Sequence, residues 1–266
     1  RIYRIILQDD RKLPEGLINK IKFSPFVEYS RPIEVSETPL PRVSLAASPY
    51  FQIDRSRDKI FLRKAHFFSK GNPDVKIAIL DTGVDLRHPE LEETIAEKVD
   101  FVNIKGLDTT AFIGDTTGFD NSPDDEVGHG SHVAGIIAAR GVKMPRGVVP
   151  ECKIMAVRVL ATLRQGDKVV GAGLIDNINS GIKWAVDHGA DIINMSLGIR
   201  HEGGGLPHAE VIEYALKKGV TIVAASGNDG THDKYYPGAL PGVLAVGATD
   251  GQGNITAFST YGAHVS

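Results

Sequence analysis

The chain has 266 residues, of which 42% are hydrophobic and 24% charged, with a formal net charge of −3. That composition belongs to a folded chain of one large domain, or of one domain with a small companion, and excludes disorder throughout. No basic field points to nucleic acid, and the longest uncharged stretch, Tyr235–Thr249, carries two prolines and three glycines, so it is no membrane span.

The first 70 residues differ in texture from the rest. Ile2–Leu7 reads as a strand, and Pro14 opens a short helix carrying Leu17, Ile18 and Ile21. Phe26–Val35 returns to an extended pattern. Ser36–Pro49 then has three prolines in 14 residues and reads as a linker. We therefore expect two units, residues 1–48 and residues 49–266. Arg1 follows no Met and no apolar leader, so the chain reads as an internal fragment of a longer product whose compartment the sequence does not reveal. Cys152 is the only cysteine, so no internal disulfide forms.

From Pro73 onward strands alternate with helices. Val75–Leu80 reads as a buried strand. Gly130–Arg140 places Val133, Ile136, Ile137 and Arg140 at helical spacing. Lys153–Leu160 is a strand. Gly171–His188 reads as one helix with Leu174, Ile175, Ile178 and Ile182 on a single face. Asp191–Met195 is a strand, Pro207–Lys218 a helix, and Val220–Ala225 and Val243–Val246 are strands. This alternation, with near-continuous apolar strands, predicts a parallel sheet covered on both faces, with the strand C-termini sharing one functional edge.

Four segments carry chemistry. In Ile79-Leu80-Asp81-Thr82-Gly83 an apolar strand delivers a carboxylate to that edge, where it can orient an imidazole; the ordinary alternative is an Asp bonded to its own turn. In Gly128-His129-Gly130-Ser131-His132 a histidine stands at a helix N-terminus, whose dipole disfavours the cation and leaves a neutral general base. His132 reads as a structural, hydrogen-bonded histidine. A zinc pair of His129 and His132 lacks the H-E-x-x-H glutamate. In Ala225-Ser226-Gly227-Asn228 a strand is followed by an amide suited to donate to an oxyanion, the alternative being a plain Asn/Gly turn. Asn194-Met195-Ser196-Leu197-Gly198 offers an edge for strand addition by an extended peptide, or simply an exit from the sheet. The nearest glycine-rich nucleotide loop, from Gly171 to Asp176, lacks its third glycine.

In this order, ILDTGVDLRHPEL, GHGSHVAG, INMSLG, AASGNDG and YPGALPGVLAVGATD resemble the subtilisin-like serine proteases, from about Tyr50 to the last residue. The resemblance implies a three-layer α/β fold with a mostly parallel central sheet, plus a small N-terminal α+β segment. It implies a serine endopeptidase that cleaves polypeptide substrates through an Asp-His-Ser triad. Asp81 then matches the triad aspartate, His129 the triad histidine and Asn228 the oxyanion donor. Ser196, Leu197 and Gly198 match the strand that pairs with substrate, and Ala225, Ser226 and Gly227 match a wall of the primary specificity pocket. Small residues in that wall lead us to expect room for a sizeable apolar side chain. The family favours secretion.

The chain also departs from the pattern. The family's nucleophile lies in a G-T-S segment, and none occurs in these 266 residues; Ser259 and Ser266 match other positions. The chain alone is therefore expected to be inactive, as a truncated chain, as a nicked one whose serine sits on a separate C-terminal fragment, or as a pseudoprotease that binds peptides without cutting them. No cofactor is expected. Calcium is common in the family, but Glu90 stands where an Asp ligand is usual, and Arg140–Pro150 contains no Asn or Asp, so the usual strong site is expected to be absent. The acidic run Asp120–Glu126 reads as a solvated loop. PFVEYSRPIEV resembles the last strand of a subtilisin propeptide, which makes the chain's own N-terminal segment a candidate partner and inhibitor.

Overall fold

The computed structural model describes residues 4–6, 14, 16–28, 30, 32, 56–116, 118–201 and 205–266, and the backbone of 35–37. In chain order the elements are α1 (Leu17–Lys22), β1 (Val35–Glu37), α2 (Leu62–Phe68), β2 (Lys76–Asp81), β3 (Ile95–Asp100), β4 (Phe112–Ile113), α3 (His129–Ala138), β5 (Lys153–Arg158), β6 (Ala161–Gln165), β7 (Lys168–Leu174), α4 (Ile175–Asp187), β8 (Ile192–Met195), β9 (Ile199–Arg200), α5 (Ala209–Lys217), β10 (Thr221–Ala225), β11 (Tyr235–Tyr236) and β12 (Leu244–Val246).

Six strands form a parallel sheet in the order β12-β10-β8-β2-β5-β3. Period-two alternation sends its side chains to two cores. Ala78, Leu80, Met155, Val157, Ile193 and Ile222 meet Ile178 and Ile182 of α4 and Ile212 and Ala215 of α5. Ile79, Ile154 and Ala156 meet Ala134 and Ala138 of α3 on the other face. Three layers follow, with helices on both faces.

The expected strands of the sheet are all present within a residue or two, as are the helices now seen as α1, α3 and α5. Three readings need correction. Gly171–His188 is not one helix: Gly171–Leu174 belongs to β7, which forms a hairpin with β6, and the helix begins only at Ile175 because Leu174 is extended (φ −80°, ψ 141°). The hairpin turns at Gly166, whose φ of +60° suits glycine. β3 was not anticipated; four of its six residues, IAEKVD, are half-buried or exposed, as suits an edge strand. In α3, the buried stripe is Gly130, Ala134 and Ala138, while Ile136 is 55% exposed. The helix lies too close for larger side chains, since a Cβ on Gly130 would overlap the Gly83 carbonyl.

At the N-terminal end, Arg4–Ile6 is not part of a strand; the rest of the expected Ile2–Leu7 strand, and most of the linker, lie outside the described residues. The start of that linker is strand: β1 pairs antiparallel with β7, Val35 opposite Leu174, Ser36 opposite Gly173 and Glu37 opposite Ala172. Among the described residues, no helix is long and apolar enough to cross a membrane.

Candidate active site

Asp81 is the last residue of β2 and is fully buried. Its main-chain carbonyl accepts from the Val159 and Leu160 amides at 3.0 and 3.2 Å, which ties the strand end to the exit of β5. Its Oδ1 accepts the Thr82 amide at 2.7 Å and stands 2.7 Å from Nδ1 of His129. A carboxylate only accepts, so Nδ1 carries the hydrogen and Nε2 is the nitrogen left to take a proton. Asp81 Oδ2 has no hydrogen-bond partner among the described residues.

Asp125, from the acidic run, organises the same spot. Its Oδ1 accepts from the Val127 and Gly128 amides and from the Thr82 hydroxyl, and its Oδ2 accepts from the Ser131 amide and hydroxyl, all at 2.7–3.0 Å. Thr82 Oγ1 in turn accepts the Gly130 amide at 3.0 Å. One carboxylate thus satisfies the open N-terminus of α3 and sets where His129 starts. The solvated-loop reading is therefore wrong for Asp125. Glu126 is exposed, yet it accepts from Thr162 at 2.9 Å and lies 3.6 Å from the buried Arg158.

Burial by itself lowers the His129 pKa, but the hydrogen bond and charge of Asp81 and the charge of Asp125 outweigh it, and the net shift is upward from 6.5. This reverses the direction expected from the helix dipole alone. Two carboxylates act on the ring, Asp81 by direct contact and Asp125 by its charge, and Asp125 also caps the dipole. His132 is exposed rather than built into the core.

Parallel order places the ends of β2, β8 and β10 side by side, so the segments after them share one edge with Asp81. Ser196 and Gly198 are half-buried and Leu197 is buried; Ser196 Oγ accepts from the Asn194 side-chain Nδ2 at 3.1 Å. Ala225, the last residue of β10, is half-buried; beyond it Ser226 is buried and Gly227 has φ +112°. Asn228 is half-buried on the loop that follows. Residues 256–266 clamp this loop: the Thr260 amide donates to the Gly227 carbonyl at 3.0 Å, the Gly230 amide to Phe258 at 2.8 Å and Ser226 Oγ to the Thr260 carbonyl at 3.2 Å. Ser259 is 1% exposed, with its hydroxyl bonded to the Thr260 carbonyl. Tyr235 donates its hydroxyl to Asp229, and burial first and that bond second push its pKa above the ordinary value.

Away from the edge, Glu90 is 1% exposed. Its carboxylate accepts from four successive amides, Gly141, Val142, Lys143 and Met144, at 2.5–3.1 Å. The loop therefore turns N–H donors, not carbonyl oxygens, toward its centre. This donor set suits an anion and does not fit calcium, which requires six to eight oxygens. Burial raises the Glu90 pKa, the four amides lower it, and the net is downward. Asp125 and Glu90 were open to reading as capping groups: one lies four residues before a histidine-led helix, and the other faces a loop without acidic residues.

The Subtilase family profile matches residues 72–266, and the chain belongs to that family. Among similar proteins are the thermophilic serine proteinase of Bacillus sp. (strain AK1), 32% identical over 94% of this chain and 56% of that protein, and thermitase of Thermoactinomyces vulgaris, 35% identical over 82% and 70%. Subtilisin BL of Lederbergia lenta is 37% identical over 71% of this chain and 61% of its own length. The chain thus spans about half to two-thirds of these relatives. A solved structure, that of the prenylagaramide maturation protease PagA, superimposes with a TM-score of 0.56 at 30% identity, over 76% of this chain and 64% of that one.

Proposed function

We propose that this chain forms most of a serine endopeptidase whose nucleophile lies outside residues 1–266. The observation that carries the reading is the 2.7 Å contact between Asp81 and His129 at the C-terminal edge of a parallel sheet. In catalysis His129 takes the proton of the attacking serine at Nε2, and Asp81 holds the tautomer and stabilises the imidazolium. Asn228 donates to the oxyanion of the tetrahedral intermediate. An extended polypeptide pairs along Ser196–Gly198, with Ala225–Gly227 bounding the side chain before the scissile bond. No metal takes part in this chemistry, and Glu90 holds the 141–144 loop in place of a cation.

The N-terminal segment acts on this reading as a pro-segment. Support comes from two separate attachments: β1 adds antiparallel to β7, and Arg4 bonds Asp176 at 2.7 Å and the Asn103 carbonyl at 2.7 Å.

The test is a serine-directed phosphonate probe on the full-length gene product. Labelling outside residues 1–266 is expected. His129→Ala should lower turnover at least about 10³-fold and Asn228→Ala about 10²–10³-fold, the usual cost of a triad member and of one oxyanion donor. The lack of a G-T-S segment in these residues favours a second reading, a peptide-binding module without cleavage. Peptide binding without labelling selects it.

A further inference from the structure

Small residues at Ala225–Gly227, across from the expected pairing strand Ser196–Gly198, led us to expect an open pocket. The structure places an aromatic ring between them. β11 pairs antiparallel with β9, with Tyr235 opposite Arg200 and Tyr236 opposite Ile199, which brings the Tyr235 side chain beside Gly198. A Cβ on Gly198 would lie 3.5 Å from Tyr235 Cβ and 3.6 Å from Cδ1. A Cβ on Gly227 would lie 2.8 Å from Tyr235 Cε2 and overlap Cδ2. The two ring edges therefore face opposite walls: the Cδ1 edge lies against Gly198 and the Cδ2–Cε2 edge against Gly227.

Both walls need their glycines for this. Gly227 has φ +112°, which L side chains rarely adopt, and any side chain there would displace the ring. The ring is also tethered at its tip. Its hydroxyl donates to Asp229, one residue beyond Asn228, and Arg200 holds the same acidic corner through Asp233 at 2.9 Å and Asp229 at 3.9 Å. A bulky side chain entering between the walls would have to expel the ring and break a charge-assisted hydrogen bond.

We propose that Tyr235 fills the primary specificity pocket and restricts the residue before the scissile bond to glycine, alanine or serine. The inference rests on the assignment, under Proposed function, of Ser196–Gly198 to substrate pairing and of Ala225–Gly227 to the pocket wall, and it replaces the expectation of a roomy apolar pocket.

The experiment uses the full-length protein and internally quenched peptides that differ only in the residue before the scissile bond: Gly, Ala, Leu, Phe or Arg. Wild type should cleave the Ala peptide with kcat/KM at least tenfold above the Phe peptide. Tyr235→Gly should reverse that order. Tyr235→Phe should keep the preference for Ala but narrow it, since the ring stays and its tether goes. Thermal melts check that each variant folds, and the wild-type profile decides the matter if Tyr235→Gly does not. Equal or better cleavage of Phe by wild type, or an unchanged ratio in a folded Tyr235→Gly, overturns the inference and leaves the protease reading standing. If no peptide is cleaved and the phosphonate labels nothing, the protease reading fails instead. The pocket is then tested by calorimetry on this chain, with acetylated tetrapeptides ending in Ala or Phe. Tenfold tighter binding of the Ala peptide sustains the inference; equal affinity, or binding of neither, overturns it.

Discussion

His129 is subject to opposing influences, and their balance makes a pH prediction. Burial disfavours its cation, and Asp81 and Asp125 favour it more strongly. Catalysis needs the neutral ring, so the acid limb of kcat/KM in the full-length protein should have its midpoint above 6.5. Asp125→Asn removes one of the two carboxylates and should move that midpoint down, whereas an unmoved limb would deny Asp125 its influence on the ring. The stability sign is opposite to the activity sign. A raised folded pKa means that the protonated Asp81–His129 pair adds stability below the unfolded value, and this contribution is lost as pH rises through the folded one. Asp81 and His129 were recognisable one at a time in the sequence, each as a polar residue delivered by an apolar element. Asp125 was not, because a carboxylate in an acidic run reads the same whether it faces water or a helix N-terminus.

Loops and strands are held at the next scale by buried charge. Glu90 anchors the 141–144 loop through four amides, and hydrogen bonds to charged groups contribute about 1.5–3 kcal/mol. Glu90→Gln should therefore lower the melting temperature by roughly 3–12 °C, given about 2–4 °C per kcal/mol for a domain of this size. With its folded pKa lowered, Glu90 contributes above 4.5, and its contribution fades as pH falls through the folded value. EDTA should leave the melting temperature unchanged; a fall of several degrees would show that a cation holds the fold. Arg158 and Asp100, each 1% exposed and 2.6 Å apart, join β5 to β3, and Arg158 also reaches the Asp115 carbonyl at 2.9 Å. Burial raises the Asp100 pKa, and Arg158 only partly opposes that. Arg158→Ala should cost about 3–5 kcal/mol in denaturant unfolding, because it strands a buried carboxylate, and adding Asp100→Asn should recover part of the loss. These elements were read from apolar period, which explains both what was found and what was missed. The apolar strands β2, β5, β8 and β10 stood out. Polar β3 did not, and β7 merged with α4 because Val169 to Leu174 is apolar and small enough for either state.

For the whole molecule, two stretches of the N-terminal segment, far apart in its own sequence, both attach at the junction of β7 and α4. Residues 35–37 extend the antiparallel sheet at β7, and Arg4, only 14% exposed, bonds Asp176 and Asn177 in the first turn of α4. Arg4→Ala should weaken the second attachment by about 1–2 kcal/mol, a five- to thirtyfold change in the released population. Limited proteolysis of the Pro/Ser-rich 38–48 stretch should speed up accordingly, and, on the proposed pro-segment reading, basal peptidase activity of the full-length protein should rise. An unchanged cleavage rate would mean that β1 alone holds the segment.

Read alone, the sequence determined the alternation of parallel strands and helices, the shared edge at the strand ends and the family, because these depend on local apolar period and on short contiguous motifs. Tertiary structure alone decided that Asp81 and His129, 48 residues apart, meet at 2.7 Å, that Asp125 caps α3, that Glu90 turns inward, and that Tyr235 stands between Gly198 and Gly227. Each of these is a contact between segments distant in the chain or across a turn, set by how strands, helices and loops are ordered in space. The same Glu or Tyr in the sequence is compatible with facing water or a neighbour, and only the packing around it selects one.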